Sequence, residues 1–220
     1  MKSKPKIPLI PLLLMVVFIM ITNIGASILP QEITDIVKDI DGNSYKTVKI
    51  GNIVWVSENL NVAHYRNGDP IPEAKTSAQW EECYKNEKGA WCYYNNESLN
   101  GKKYGKLYNW YAVNDSRGLA PDSTHVPSIT EWQTLITTLG GESGAFSKMK
   151  SSTGFYALAG GHRYFQDCSF YSNGEIGFWW SSTKEDIWNA WYQAVHFGYS
   201  QVGKDNGGMN TGMSVRCVMN

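Results

Sequence analysis

Apolar and polar residues alternate in short runs broken by turn dipeptides from Asp35 onward. Tyr45, Val48 and Ile50, then Ile53, Val54, Trp55 and Val56, are set off by Asp41-Gly42-Asn43 and Gly51-Asn52, a pattern that predicts a three-stranded meander over 35–61. Residues 64–80, with Pro70 and Pro72, read as an ordered loop. A short helix over 77–84 would put Trp80 and Tyr84 on one face. Trp91–Tyr94 reads as an aromatic strand and Tyr108–Val113 as helix-compatible. The sharpest local signal is Ser128-Ile129-Thr130-Glu131 after Pro127: a capping box, followed by Trp132, Leu135, Ile136 and Leu139 at helical spacing and stopped by Gly140-Gly141. Beyond Gly154 the period returns to that of strands, at 155–159, 177–181, 190–197 and 213–219. Strands first, two helices in the middle and strands last is an α+β arrangement whose ends can meet in one sheet. No linker or repeat divides it, so one domain is expected.

The residues before the meander follow a different logic. Lys2, Lys4 and Lys6 precede an apolar stretch from Ile7 to Ile21, and Thr22–Ala26 are small and polar. That is the layout of a secretory signal, with cleavage expected after Ala26, a short linker at 27–34 and the domain at 35–220. A retained anchor would need about 20 apolar residues, and Pro8 and Pro11 interrupt this stretch. A lipid-anchored form would need a cysteine at the cleavage point, and the first is Cys83. The expected location is therefore the periplasm, the cell surface or the extracellular space. Contact with membrane is expected only during export unless the segment is kept.

Charge and composition narrow the function. Of 220 residues, 42% are hydrophobic, and 20 basic side chains balance 20 acidic ones, which excludes disorder and the basic footprint of a nucleic-acid binder. Nine Trp, thirteen Tyr and seven Phe are the outlier. Trp179 and Trp180 are adjacent in an expected strand and must point to opposite faces, one to the core and the other to the outer face, under a loop or towards solvent. Trp188 and Trp191 lie among Asn, Tyr and Gln, a mixture suited to sugar rings or protein partners. After export the even set Cys83, Cys92, Cys168 and Cys217 suggests two disulfides, in any of three connectivities. A zinc site would need a close pair such as C-x-x-C, which is missing, and Asp39–Asn43 departs from a calcium loop in the position of its glycine. His64, His125, His162 and His196 stand apart from one another. No metal or cofactor is expected. Nucleophile elbows, P-loops and dinucleotide fingerprints are absent, so a non-enzyme is expected. The rival is a glycosidase built on turn acids such as Glu175, Glu185 and Asp186.

Several of these segments together resemble one family. Val48-Lys49-Ile50-Gly51-Asn52 with Trp55 and Glu58-Asn59-Leu60-Asn61 are followed by Trp91–Asn96, Tyr104–Val113 and His125-Val126-Pro127-Ser128 with Glu131-Trp132. Gly160-Gly161-His162-Arg163, Trp179–Thr183, Asn189–Tyr192 and Ser214–Val218 complete the series. The order is similar to that of the Fibrobacter succinogenes major paralogous domain family, across the whole of 35–220. The resemblance implies a C-type-lectin-like single domain, related to the formylglycine-generating-enzyme branch, with small antiparallel sheets, two helices and long ordered loops. It does not imply calcium or oxidase chemistry, because the motifs for both are missing. Relatives carry Cys-Pro-x-Gly-Trp before His-Val-Pro, whereas Leu119–Thr124 here has neither Cys nor Trp. Cys92 and Cys217 match family positions and Cys83 and Cys168 are additions, which implies the pairs Cys92–Cys217 and Cys83–Cys168.

The function expected on these grounds is a non-catalytic binding or adhesion module for carbohydrate or protein at the cell envelope. A structural envelope component without a small ligand, or a carbohydrate-active hydrolase, is the alternative. The ligand face is expected on loops between Trp180 and Met213, with Trp180, Trp188, Tyr192, His196, Tyr199, Gln201, Lys204, Asp205, Asn206 and Asn210 as candidates.

Overall fold

The computed structural model describes residues 33–220, so the expected signal segment and most of the linker lie outside the described residues. The meander forms as expected: β1 (Ile33–Lys38), β2 (Ser44–Ile50) and β3 (Ile53–Val56) pair antiparallel in sequence order. An ordered loop leads to α1 (Ser77–Lys85), β4 (Trp91–Cys92), a 3-10 turn at Tyr94–Asn96, α2 (Ser98–Tyr104), β5 (Leu107–Tyr108) and the single-turn α3 (Trp110–Val113). After β6 (Thr124–His125) come α4 (Ile129–Thr138) and α5 (Gly141–Lys150). The remainder is β7 (Gly160–Arg163), β8 (Phe170–Asn173), β9 (Ile176–Lys184), β10 (Asn189–His196), β11 (Gln201–Gly208) and β12 (Val218–Met219).

The fold is α+β, built on two five-stranded sheets and a two-stranded ladder. The first sheet has the order β1-β2-β3-β12-β6, so the last strand returns to pair with the opening meander. Val218 faces Trp55 on one side and His125 on the other. The second sheet has the order β11-β10-β9-β7-β8, and β4 pairs only with β5. Between the two sheets the segment 209–217 runs without a ladder of its own. It exchanges backbone hydrogen bonds with Tyr108, Arg163, Phe178, Trp180, Leu60 and Val56 in turn. For that reason the strand expected over 213–219 shrinks to β12: each residue upstream bonds to a different neighbour.

Among the described residues five α-helices stand where two were expected. The capping box forms at α4, where the Ser128 hydroxyl accepts from the Glu131 N–H and the Glu131 carboxylate accepts from the Ser128 N–H. Past α4 the pair Gly140 and Gly141, at φ of 102° and 75°, turns the chain back instead of ending the helical region. Two glycines leave α5 with poor intrinsic propensity. Burial of Ala145 and Met149, four apart, against the core beneath them holds it in place. In α2, Gly101 lets the Tyr93 ring approach so closely that a Cβ would come within 2.2 Å of it.

Two further expectations give way. Residues 155–159 are not a strand, because the carbonyls of Phe155 and Tyr156 accept from the Arg216 guanidinium rather than from a neighbouring strand. Residues 201–208 are not a loop: they pair with β10 along its whole length, Asn189 opposite Gly208 through His196 opposite Gln201. This edge strand shows almost no apolar alternation, and its Lys204, Asp205 and Asn206 are side chains that discourage pairing with another edge.

Trp179 and Trp180 point to opposite faces as expected, and neither reaches solvent. Both are fully buried, Trp179 with Trp55, Trp132 and Phe155 under α4 and α5, and Trp180 with Tyr108, Trp110 and Met213 on the other side. The sheet is covered on both faces at this point, so of the two expected settings for the second indole, under a loop or towards solvent, it takes the covered one.

The expected disulfides are not formed either: all four cysteines are buried free thiols. Along β4 the side chains alternate, so Trp91 faces the cluster that holds Cys217, whereas Cys92 faces Trp80, Cys83, Leu107 and Cys168. Cys92 and Cys217 therefore sit on opposite sides of the β4–β5 ladder. Cys83 and Cys168 share a cluster as packed, unbonded thiols. Burial pushes the Cys92 and Cys217 thiols up to about 12 and raises those of Cys83 and Cys168 as well. These cysteines act as small hydrophobes.

Arg216 ties the layers together. Its side chain is fully buried, with Nε donating to Asn59 Oδ1 at 2.6 Å, one terminal nitrogen to Phe155 O at 2.7 Å and the other to Tyr156 O at 2.9 Å. The guanidinium lies 4.5 Å from the Phe155 ring centroid. Burial lowers its pKa to about 9, so it stays charged at neutral pH. Arg216→Met keeps the bulk and removes every donor, leaving buried acceptors unpaired. We expect a loss of roughly 3 kcal/mol or more in urea denaturation; a loss under about 1 kcal/mol would show that water replaces the guanidinium.

Candidate functional site

The register of the second sheet decides which side chains can act together. Partners across antiparallel strands share a face. Trp191, Gln193 and Val195 on β10 lie opposite Asn206, Lys204 and Val202 on β11, and this face takes the helices: Val195 and Val202 pack with Trp132, Leu135, Ala145 and Met149. Tyr192, Ala194 and His196 lie opposite Asp205, Gly203 and Gln201 on the other face, and on the β9 side opposite Trp180, Phe178 and Ile176. The ten ligand candidates read from the sequence therefore do not form one patch.

Lys204 and Asn206 belong to the helix side, whereas Tyr192, His196, Gln201 and Asp205 share the opposite side. Tyr199, 80% exposed, sits on the β10–β11 turn, and Trp188, 62% exposed, on the β9–β10 turn at the far end of β10. The Trp188 turn is rigid, since Asp186 Oδ1 accepts from the N–H groups of Trp188 and Asn189. Trp180 and Asn210 are buried and drop out as contact residues: Trp180 Nε1 donates to Tyr108 O at 2.9 Å, and Asn210 Nδ2 to Phe165 O at 3.0 Å.

The Tyr192 side continues across the sheet into a set of rings that the sequence reading did not single out. His162 on β7 lies 4.7 Å from Phe178 between ring centroids, 6.0 Å from Tyr171 on β8 and 5.9 Å from Tyr164. Phe165 meets Tyr164 edge-on at 4.7 Å, and Tyr192 meets Phe178 at 5.7 Å. Most of these rings are edge-on pairs, the geometry favoured by their quadrupoles. His162, Tyr164, Phe165 and Tyr192 are half-buried, and Tyr171 is 44% exposed. The result is an aromatic face, edged by carboxylates, on a rigid sheet.

The electrostatics of this face follow from burial. His162 Nδ1 is buried without a hydrogen-bond partner, and burial lowers the imidazole pKa, with Asp167 opposing more weakly. The Tyr171 hydroxyl donates to Asp167 Oδ2 at 2.5 Å, which raises the phenol and holds the carboxyl below its usual range. Tyr192 is pushed up to about 12 by burial and by Asp205. At neutral pH the face thus offers neutral rings, a neutral imidazole and phenol hydroxyls, with Asp167 and Asp205 at its edge. Such a surface takes flat apolar faces with polar edges. The one sequence signal for it was Gly160-Gly161-His162-Arg163, where two glycines before a histidine mark a close strand crossing.

Other candidate chemistry is dispersed. Glu175 precedes β9 and Glu185 follows it, so the nine-residue strand holds them apart by about 30 Å at about 3.3 Å per residue, beyond the reach of a glycosidase pair. His125 bridges Asn220 and Glu131 at 2.8 Å each, and His64 pairs with Asp41. Among the described residues no group of three or more His, Cys, Asp or Glu is placed to hold a metal ion.

The model of one protein family, the Fibrobacter succinogenes major domain, matches residues 48–219. The match spans most of the chain, from β2 to β12, and the chain belongs to this family. No curated protein and no solved structure matches it.

The buried imidazole makes one measurable demand. His162 is held below the ordinary value of about 6.5 in the folded state, so the unfolded chain binds its proton more readily. The stability tied to this neutral ring is therefore present above about pH 6.5 and lost as pH falls through that value. In urea melts at about pH 7.5 and about pH 5, His162→Phe should lose less stability on acidification than the parent chain. An equal loss in both would mean that the ring takes up its proton in place.

Proposed function

We propose that this member of the Fibrobacter succinogenes major domain family is an exported, non-catalytic binding or adhesion module. Its ligand, a carbohydrate or a protein of the cell envelope, docks on the aromatic face of the second sheet. The observation that carries this reading is the placement of partly exposed rings, Tyr164, Phe165, Tyr171 and Tyr192, together on one face of the second sheet. Rings fixed by strands and by mutual packing lose little freedom on binding. Asp167 and Asp205 at the edge can accept hydroxyl or amide hydrogens. The finer reading of the fold, as C-type-lectin-like, is supported by the return of β12 to the opening meander and by the long ordered connections that separate the two sheets.

Ligands are sought with a glycan array and an envelope-extract pull-down on the full chain. A bound species is then titrated against Tyr164→Ala combined with Tyr171→Ala. Two stacking rings at about 0.5–1.5 kcal/mol each predict a loss of about tenfold or more. Trp188→Ala and Tyr199→Ala, on the hairpin turns outside the ring set, should leave affinity unchanged. The reverse pattern would place the ligand on the hairpin ends and end this reading.

A further inference from the structure

A second feature lies away from the aromatic face, where the opening meander meets α2. A cleft of about 520 Å³ runs between the start of β2, the chain after β3, α2 and the loop after α5. That is within the size range of small-molecule sites. Its charge is one-sided: Lys102, Lys103 and Arg216 line it against the single carboxylate of Glu58. Glu58 Oε2 already accepts from the Lys46 N–H at 2.6 Å, and neither lysine has an ion-pair partner among the described residues. Lys103 instead lies 4.6 Å from the Tyr104 ring centroid.

The other lining groups are set for hydroxyls. Asn43 gives its amide hydrogens to Asp39 Oδ2 at 2.8 Å and Asn61 O at 3.4 Å, which leaves Oδ1 open. Asn61 uses Oδ1 to accept from the buried Lys106 ammonium at 3.2 Å, which leaves its NH2 group open. The cleft is thus lined by one open acceptor and one open donor on anchored amides, the two kinds of partner that sugar hydroxyls use. The aromatic component is Tyr156, 41% exposed and lining the cleft at φ 52°, a conformation that non-glycine residues seldom adopt. Arg216, the fully buried floor of the cleft, holds that conformation by taking the Tyr156 and Phe155 carbonyls. Strain of this kind persists only where surroundings over-determine it.

We propose that this cleft binds an anionic sugar, a pyranose whose charge comes from a uronate carboxylate or a sulfate ester. The ring stacks on Tyr156, the hydroxyls meet Asn43 and Asn61, and the anion faces Lys102 and Lys103. This site is independent of the aromatic face, and neither reading requires the other.

The test is calorimetry on the full chain at low salt with three sets of oligosaccharides: uronate trisaccharides (galacturonate, glucuronate, mannuronate), sulfated galactans, and their neutral counterparts. Binding by the uronates, the sulfated set or both, with neutral sugars at least tenfold weaker, supports the proposal and identifies the source of charge. The Lys102→Ala, Lys103→Ala double variant should bind about tenfold more weakly and lose most of the salt dependence. Tyr156→Asn removes the ring while suiting the backbone conformation, and should weaken binding by a similar factor. Circular dichroism melts establish that both variants fold. Tyr164→Ala with Tyr171→Ala should leave this binding intact, so a failure here is distinguishable from a failure at the aromatic face. The proposal is overturned by no binding from either charged set, by equal binding of neutral sugars, by inorganic sulfate competing as well as the sugars, or by retention of full affinity in both cleft variants.

Discussion

Closure of this chain depends on a run of about ten residues that belongs to no sheet until its end. From Met209 to Cys217 the backbone gives and takes hydrogen bonds alternately with β5, β7, β9 and the segment after β3. Every layer is thereby tied to the same short strip. Its one long polar side chain, Arg216, is buried without a carboxylate, which would be costly were it not surrounded by carbonyl oxygens and aromatic faces. Asn59 completes the junction: its Oδ1 accepts from both Arg216 Nε and Trp179 Nε1, while its amide donates to Tyr104 O and Ser214 Oγ. One asparagine thus joins the meander exit, α2, β9 and the C-terminal strip. A network so fully satisfied specifies a single arrangement of layers.

This explains which parts of the fold are legible from sequence. The meander and α4 carry their own instructions, in turn residues at Gly42 and Gly51 and in the Ser128–Glu131 box, and both form where expected. Elements that depend on distant partners are misread. β11 has few apolar residues and exists because β10 offers a complete ladder; α5 has glycines and exists because Ala145 and Met149 find Phe155 and Trp179. Phe155–Ala159 has strand-like composition, but Arg216 captures its carbonyls, and no local rule anticipates an arginine some 60 residues away.

The candidate site was legible only in part, for a related reason. A contiguous stretch such as 191–206 looks like one cluster in sequence, yet strand alternation sends half its side chains to the helices and half to the other face. Four of the ten candidates, Tyr192, His196, Gln201 and Asp205, fall on the side that continues into the rings; Lys204 and Asn206 turn away, and Trp180 and Asn210 are core. The aromatic neighbours His162, Tyr164, Phe165 and Tyr171 come from β7, β8 and their connection. They reach Tyr192 only because β7 joins β9 in parallel, at Gly161 opposite Gly177. A parallel pairing across a crossover leaves no periodic trace in either segment.

The cysteines bear on how this scaffold resists opening. A domain of this size with two sheets has enough buried apolar surface to dispense with covalent staples. Here the thiols fill space: Cys92, Cys83 and Cys168 surround Trp80 and Leu107, and Cys217 packs beside Tyr45 and Tyr108. Burial raises all four thiols, which disfavours the thiolate form that exchange chemistry needs. The work usually given to crosslinks, holding distant chain segments in register while surface loops vary, falls instead to the Asn59–Arg216 junction. Because that junction is made of hydrogen bonds inside the protein, its strength does not depend on the redox state of the surroundings. It also lies directly beneath the cleft, so the group that closes the fold is the same one that fixes the conformation of Tyr156.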